Sequence, residues 1–291
     1  QKGNGKVLID SSATPGVIVD VVALSCEVIE QQQELVRLIL YLLSEGPAEF
    51  FGQRLECGLE RDKARAIAAA AMGAGQTTNT VLKLSQEAGI VVRDMYPLAR
   101  CVVESYANAA FFATQPVEVA QRAIRHKDFA AWKHANRVIG SGDFMIALGS
   151  QEEIRPFLEK EFPEFAGKGH GSWTNLDMPS RIRLIGEKVQ AAGGALMGAY
   201  GGIYAISSEI IHGSVFGTAY FYSAGTSDPN SEEGFRRGVL QQRVDILSAV
   251  GHAASGFIAA YAETEKMGSI VLTEHKLFKR MFRAATGDNW E

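Results

Sequence analysis

Apolar residues recur three and four positions apart through most of this chain. Ile18, Val22, Cys26, Ile29, Val36, Leu40 and Leu43 form the first such stripe, and Gly46-Pro47 interrupts it. The spacing predicts a long amphipathic helix from residue 17 up to that stop. The same period predicts helices over 59–72, 77–88, 96–114, 116–139, 151–162, 179–192, 195–212, 231–267 and 272–285, with Gly, Pro and Asn clusters between most of them. Strict alternation of apolar and polar residues is nearly absent, and no segment repeats at a fixed period. The pattern therefore predicts an all-α fold, a bundle-like single domain of many helices over residues 17–291. The Gly-rich stretch 167–175 is where two packed halves of that domain would join.

Residues 1–16 are rich in Gly, Ser and Lys and carry neither the apolar run nor the small-residue cleavage site of a signal peptide, so they predict a disordered tail. The three cysteines, Cys26, Cys57 and Cys101, are odd in number and lack C-x-x-C spacing. That disfavours a disulfide scaffold or a thiolate zinc site, and a cytoplasmic location is expected. With 29 basic against 33 acidic residues in 291, the net charge of −4 argues against a surface given over to nucleic acid or anionic lipid. Residues 191–208 hold 18 positions without a charge, the lower limit for a membrane span. Their glycines, alanines and serines fit a small-residue core helix better, and no membrane is expected.

Two apolar stretches nevertheless hold isolated polar groups. Between Pro97 and Ala113 the only ionisable charges are Arg100 and Glu104, four residues apart and on one helix face with Asn108. Between Lys188 and Asp228 the only formal charge is Glu209, beside a ladder of Tyr204, Ser208 and His212. A charge in a dry interior costs several kcal/mol unless paired, so the two helices are expected to aim these groups at each other in a buried network. Arg100 would donate to Glu104 or to Glu209, an alternative that spacing leaves open, while Tyr204 and His212 bond the remaining carboxylate.

At these residues the chain resembles a bacterial family, domain of unknown function 5677. The resemblance rests on Leu98-Ala99-Arg100 with Glu104, on Trp173 with Arg181, and on Ile203-Tyr204 leading to Ser208 and His212-Gly213-Ser214, over about residues 90–220. It implies a helical fold and a shared polar site. Many members place an arginine directly after the tyrosine, which would resemble the Arg-x6-His motif of helical HEPN ribonucleases; here that position is Ala205.

The expected function is a helical binding or accessory module, in a prokaryotic stress or defence setting, whose Arg100, Glu104, Tyr204, Ser208 and His212 cluster is structural or reads a small polar ligand. The alternative is a metal-independent hydrolase or HEPN-like RNase with His212 as general acid/base and Arg100 stabilising negative charge. Glu209-Ile-Ile-His212 is a single E-x-x-H element; Glu27, Glu30 and Glu104 could add carboxylates, but a second His is missing, so no metal or other cofactor is expected. Arg122, His126, Lys133 and Arg137, with Arg125 and Lys127 beside them, read as one helix face, and Lys276, Lys279, Arg280 and Arg283 as another. Such stripes usually face solvent, and they would be the phosphate contacts if RNA were the partner. Ser208 with His212 lacks the strand-to-helix elbow of a nucleophilic serine. Trp173 and His170 suit a loop anchor or a pocket cap.

Overall fold

The computed structural model describes residues 15–87, 89, 91–149, 154–166, 172–223 and 231–286. The expected tail lies outside these residues up to position 14, as does His170. Along the chain run α1 Pro15–Ser44, β1 Ala48–Phe50, β2 Gln53–Leu55, α2 Arg61–Ser85, α3 Val92–Thr114, α4 Val117–Ala135, β3 Arg137–Ser141, β4 Phe144–Leu148, α5 Ile154–Glu161, α6 Pro163–Ala166, α7 Met178–Lys188, α8 Gln190–Ile211, α9 Val215–Ser223, α10 Glu232–Thr264 and α11 Gly268–Thr286. The fold is all-α, and the short strands pair only within two antiparallel hairpins, β1–β2 and β3–β4.

Sequence explains why α3 and α10 form the centre. Both carry apolar or small residues on more than one face, and a helix that is apolar around most of its circumference must be covered by neighbours. Ala99, Val102, Val103, Tyr106, Ala107, Ala110 and Phe111 of α3 are buried, as are Ile246, Leu247, Val250, Ala254, Phe257 and Tyr261 of α10. The α10 helix packs against α1, α3, α8 and α11, while α3 packs against α2, α7, α8 and α10. Tyr106 stacks on Phe257 at 5.4 Å between centroids, and its hydroxyl accepts a 2.9 Å bond from the Gln33 side chain, which ties α1 to that layer. The α10 helix is long and apolar enough to cross a membrane, but 83% of its apolar window is buried inside the bundle, as befits a core helix.

Local signals place the helices that carry the candidate site. Asp177 caps α7 by accepting the Ser180 amide at 2.9 Å, and Ser231 caps α10 by accepting the Gly234 amide at 2.9 Å. The α7 and α8 helices meet at two glycines: a Cβ on Gly193 would fall inside van der Waals contact of the Gly186 backbone. No other residue permits that approach, and it sets α7 against α8 in register.

Four expectations are corrected. The segments 59–72 and 77–88 form the single helix α2, because burial of Ala71, Ala74, Thr78 and Val81 outweighs the roughly 1 kcal/mol that each helical glycine, Gly73 and Gly75, costs. The helix expected over 116–139 ends at Ala135, and residues 137–148 form the β3–β4 hairpin around Gly142-Asp143, with Gly142 at φ 59. The α9 helix follows α8 where none was expected. Lastly, α8 is not interior throughout: Ala192, Leu196, Ala199 and Ile203 face the core, whereas Met197, Gly201, Gly202 and Ala205 are exposed.

A second small core of Phe129, Leu158, Phe162 and Phe165 joins α4 to α5 and α6. Arg122 and Arg125 lie over its Phe165 and Phe162 rings at 4.6 and 5.0 Å.

Candidate functional site

Arg100, Glu104 and Asn108 stand one turn apart on the face of α3 turned toward α7 and α8. The Arg100 Nε donates to Glu104 Oε1 at 2.8 Å, so the open question of its carboxylate resolves to Glu104, not Glu209. The two side chains are 21% and 36% exposed, which makes this a half-open ion pair and not a dry one. The Arg100 guanidinium also lies over the Tyr204 ring, 4.3 Å from its centroid. Tyr204 in turn stacks on Tyr200 at 4.5 Å, the two rings being one turn apart on α8.

Partial burial works against the Arg100 charge, but the hydrogen bond and charge of Glu104, helped by Tyr204 and Tyr200, outweigh it and raise its pKa. Burial and the neighbouring Tyr204 push the Tyr200 hydroxyl up to about 12. Tyr200 is therefore a neutral phenol at physiological pH and keeps a proton to donate.

Arg181 of α7 completes the group. It donates to Asn108 Oδ1, and its Nε reaches the carbonyl of the capping residue Asp177 at 3.4 Å. Its guanidinium lies 5.3 Å from the centroid of the Trp173 ring. Trp173 is itself wedged against Phe111 and Phe112 at 6.2 and 5.0 Å, and its carbonyl accepts from Arg122 Nε at 2.9 Å. Among the described residues no carboxylate comes within ion-pair distance of Arg181. Desolvation lowers its pKa, and Glu104 and Asp177 oppose that only from longer range.

The structure thus gathers Arg100, Glu104 and Tyr204, and it adds Asn108, Arg181, Tyr200 and Trp173. It does not gather the rest of the expected cluster. Ser208 is half-buried one turn past Tyr204. His212 is exposed at the C-cap of α8, two turns past Tyr204 and about 12 Å farther along the axis. Gly213, at φ 64, ends the helix there, so the ladder leaves the bundle before the histidine can turn inward. The network expected out of reach of water is a half-open arrangement of arginines and aromatic rings.

Other candidates fall elsewhere. Glu27 pairs with Arg280 at 2.8 Å, away from Glu209, and among the described residues no three His, Cys, Asp or Glu side chains converge as a metal site would require. The basic face on α4 is divided. Arg122 is taken up by the carbonyls of Trp173 and Glu164, and Arg125 by Glu164, while Lys133 lies 5.8 Å from the Phe129 ring centroid. Arg137 sits on β3, off that helix. The α4 arginines anchor α5, α6 and the Trp173 loop.

No curated protein and no solved structure matches this chain. A family model does, that of the family of unknown function DUF5677, over residues 67–230. The match is wider than the resemblance over 90–220 and takes in most of α2 as well as α3, α7 and α8. Arg100, Glu104, Asn108, Trp173, Arg181, Tyr200 and Tyr204 all lie inside it, and the chain belongs to this family of unknown function.

Proposed function

We propose that the chain is a helical binding module whose site between α3, α7 and α8 takes a small anion, a carboxylate or a phosphate monoester. The observation that carries this reading is Arg181, a half-buried guanidinium held by a neutral amide, a main-chain carbonyl and an indole face, with no carboxylate within ion-pair distance among the described residues. Removing a cation from water without a counter-ion is costly, and an anion that accepted two guanidinium N–H groups would supply the missing charge in the planar geometry arginine favours. Arg100 adds a second positive centre, partly offset by Glu104. Tyr200 adds a hydroxyl that stays protonated and suited to donate to an anion's oxygen.

Recognition rather than turnover fits this set, because its proton-transfer candidate stands apart. The hydrolytic alternative needs His212 to work beside Arg100, and α8 carries His212 two turns away into solvent. A role in prokaryotic stress or defence would rest on what the anion is.

Trp173 reports on the site from beneath Arg181, so its emission, in a background where Trp132 and Trp290 are phenylalanine, tests the reading. Titration with inorganic phosphate, acetate and adenosine monophosphate is expected to give a saturable change with at least one of them, and Arg181→Gln to abolish it. No saturable response to any of the three, or an equal response from the variant, would contradict it.

A further inference from the structure

The aromatic rings of α8 form a stack with a free end. The Arg100 guanidinium lies 4.3 Å from the Tyr204 centroid, and the Tyr200 ring lies 4.5 Å from it at an interplanar angle of 28°. A guanidinium and a ring at those distances cannot share one face of Tyr204, so Tyr204 is the middle layer and Tyr200 the end. Among the described residues no other ring stacks on Tyr200, which is half-buried. Three residues earlier on α8, Met197 is 41% exposed, and at Gly194 and Gly201 a Cβ would meet no atom within 4 Å. The stack thus ends at the surface, with an adaptable thioether and two glycines around the place of a next layer.

A bare inorganic anion would use little of this. It would engage Arg181 but neither ring, and the Glu104 carboxylate would oppose it. Among the described residues Glu104 bonds only Arg100, through Oε1, so its Oε2 is open to accept. Arg181 stands within electrostatic reach of both Glu104 and Tyr200. A planar group to extend the stack, hydroxyls to donate to a carboxylate and a phosphate to pair with a guanidinium occur together in one class of ligand. We infer that the site takes a nucleoside monophosphate, its phosphate on Arg181, its ribose hydroxyls on Glu104 Oε2 and its base stacked on the outer face of Tyr200, an inference that rests on Arg181 binding an anion. Every base has a π-face, so the rings select the class of ligand and not the identity of the base.

Calorimetry on the full chain with adenosine monophosphate and ribose 5-phosphate tests it, because the two share a sugar and a phosphate and differ by the base. Stacking should make the nucleotide bind on the order of tenfold tighter to wild type. Tyr200→Phe should keep that ratio, and Tyr200→Leu should bring it to about one. Reading the ratio cancels whatever the lost hydroxyl costs the phosphate. Arg181→Gln should weaken both ligands in the same proportion. Equal affinities in wild type overturn the nucleotide inference and leave the anion site standing. Binding of neither ligand, or binding of both unchanged in Arg181→Gln, overturns the anion site and this inference with it. A ratio that survives Tyr200→Leu overturns the stacking on Tyr200, and should that variant misfold, the wild-type ratio still decides whether a base is bound.

Discussion

Glu104 on α3 and Glu274 on α11 are both carboxylates on helices that pack into the bundle, and their surroundings treat them in opposite ways. Glu104 is 36% exposed and accepts the 2.8 Å bond from Arg100 Nε. Glu274 is 7% exposed and near Ser255, which also accepts a 2.8 Å bond from Gln32. Among the described residues no donor reaches Glu274 Oε1 or Gln32 Oε1. Desolvation pushes the Glu274 carboxyl up to about 7, although a hydrogen bond with Ser255 pulls the other way. Where water is within reach, the chain has kept an ion pair; where it is not, the fold favours the proton. The site proposed to bind an anion belongs to the first kind, and this is why its charges are free to act on a ligand.

The largest effect should come from the interior carboxyl. Its folded pKa is raised above the unfolded value near 4.3, so its contribution to stability is fully present below that value and is lost as pH rises through about 7. Glu274→Gln should remove this loss and raise stability above pH 7 by about 3 kcal/mol, flattening the pH dependence seen in denaturant melts. Next, Gly193→Ala should cost about 1–3 kcal/mol by forcing α7 off α8, and it should weaken anion binding because Arg181 travels with α7. Arg181→Gln should weaken binding of phosphate or adenosine monophosphate at least about tenfold by calorimetry, the loss of a charge-assisted bond, with a small change in melting temperature. Glu104→Gln should cost under about 1 kcal/mol, as expected for an i,i+4 pair with water at hand. Smallest of all, His212→Ala should change stability by less than about 0.5 kcal/mol and leave binding intact, whereas a member of a buried network would cost several times more.

Part of the site was legible in the chain because it is local. Arg100, Glu104 and Asn108 share a face by helical spacing, and their isolation among apolar residues marked them. Tyr204 was found through its ladder, and the same spacing read one turn earlier would have found Tyr200. Arg181 was not placed in the cluster because its role is tertiary: it reaches Asn108 only after Gly186 and Gly193 let α7 and α8 close together. His212 misled for a local reason, since the glycine after it ends the helix and turns the expected interior histidine into an exposed cap. The hairpin over 137–148 escaped because alternation marks strands with one wet face, and β4 is apolar on both. Glu274 was hidden by Lys276, Lys279 and Arg280, which made α11 read as a basic stripe while its other face was buried.

The account rests on Arg181 as a cation with no carboxylate within ion-pair distance among the described residues, and thermal melts in rising inorganic phosphate test whether it takes an anion. A ligand bound only by the folded state must raise the melting temperature in proportion to the logarithm of its concentration once the site fills. Wild type should show that rise and Arg181→Gln should not. Equal rises in the two proteins would mean that phosphate acts on the whole surface, and the site between α3, α7 and α8 would then have no claim as an anion receptor.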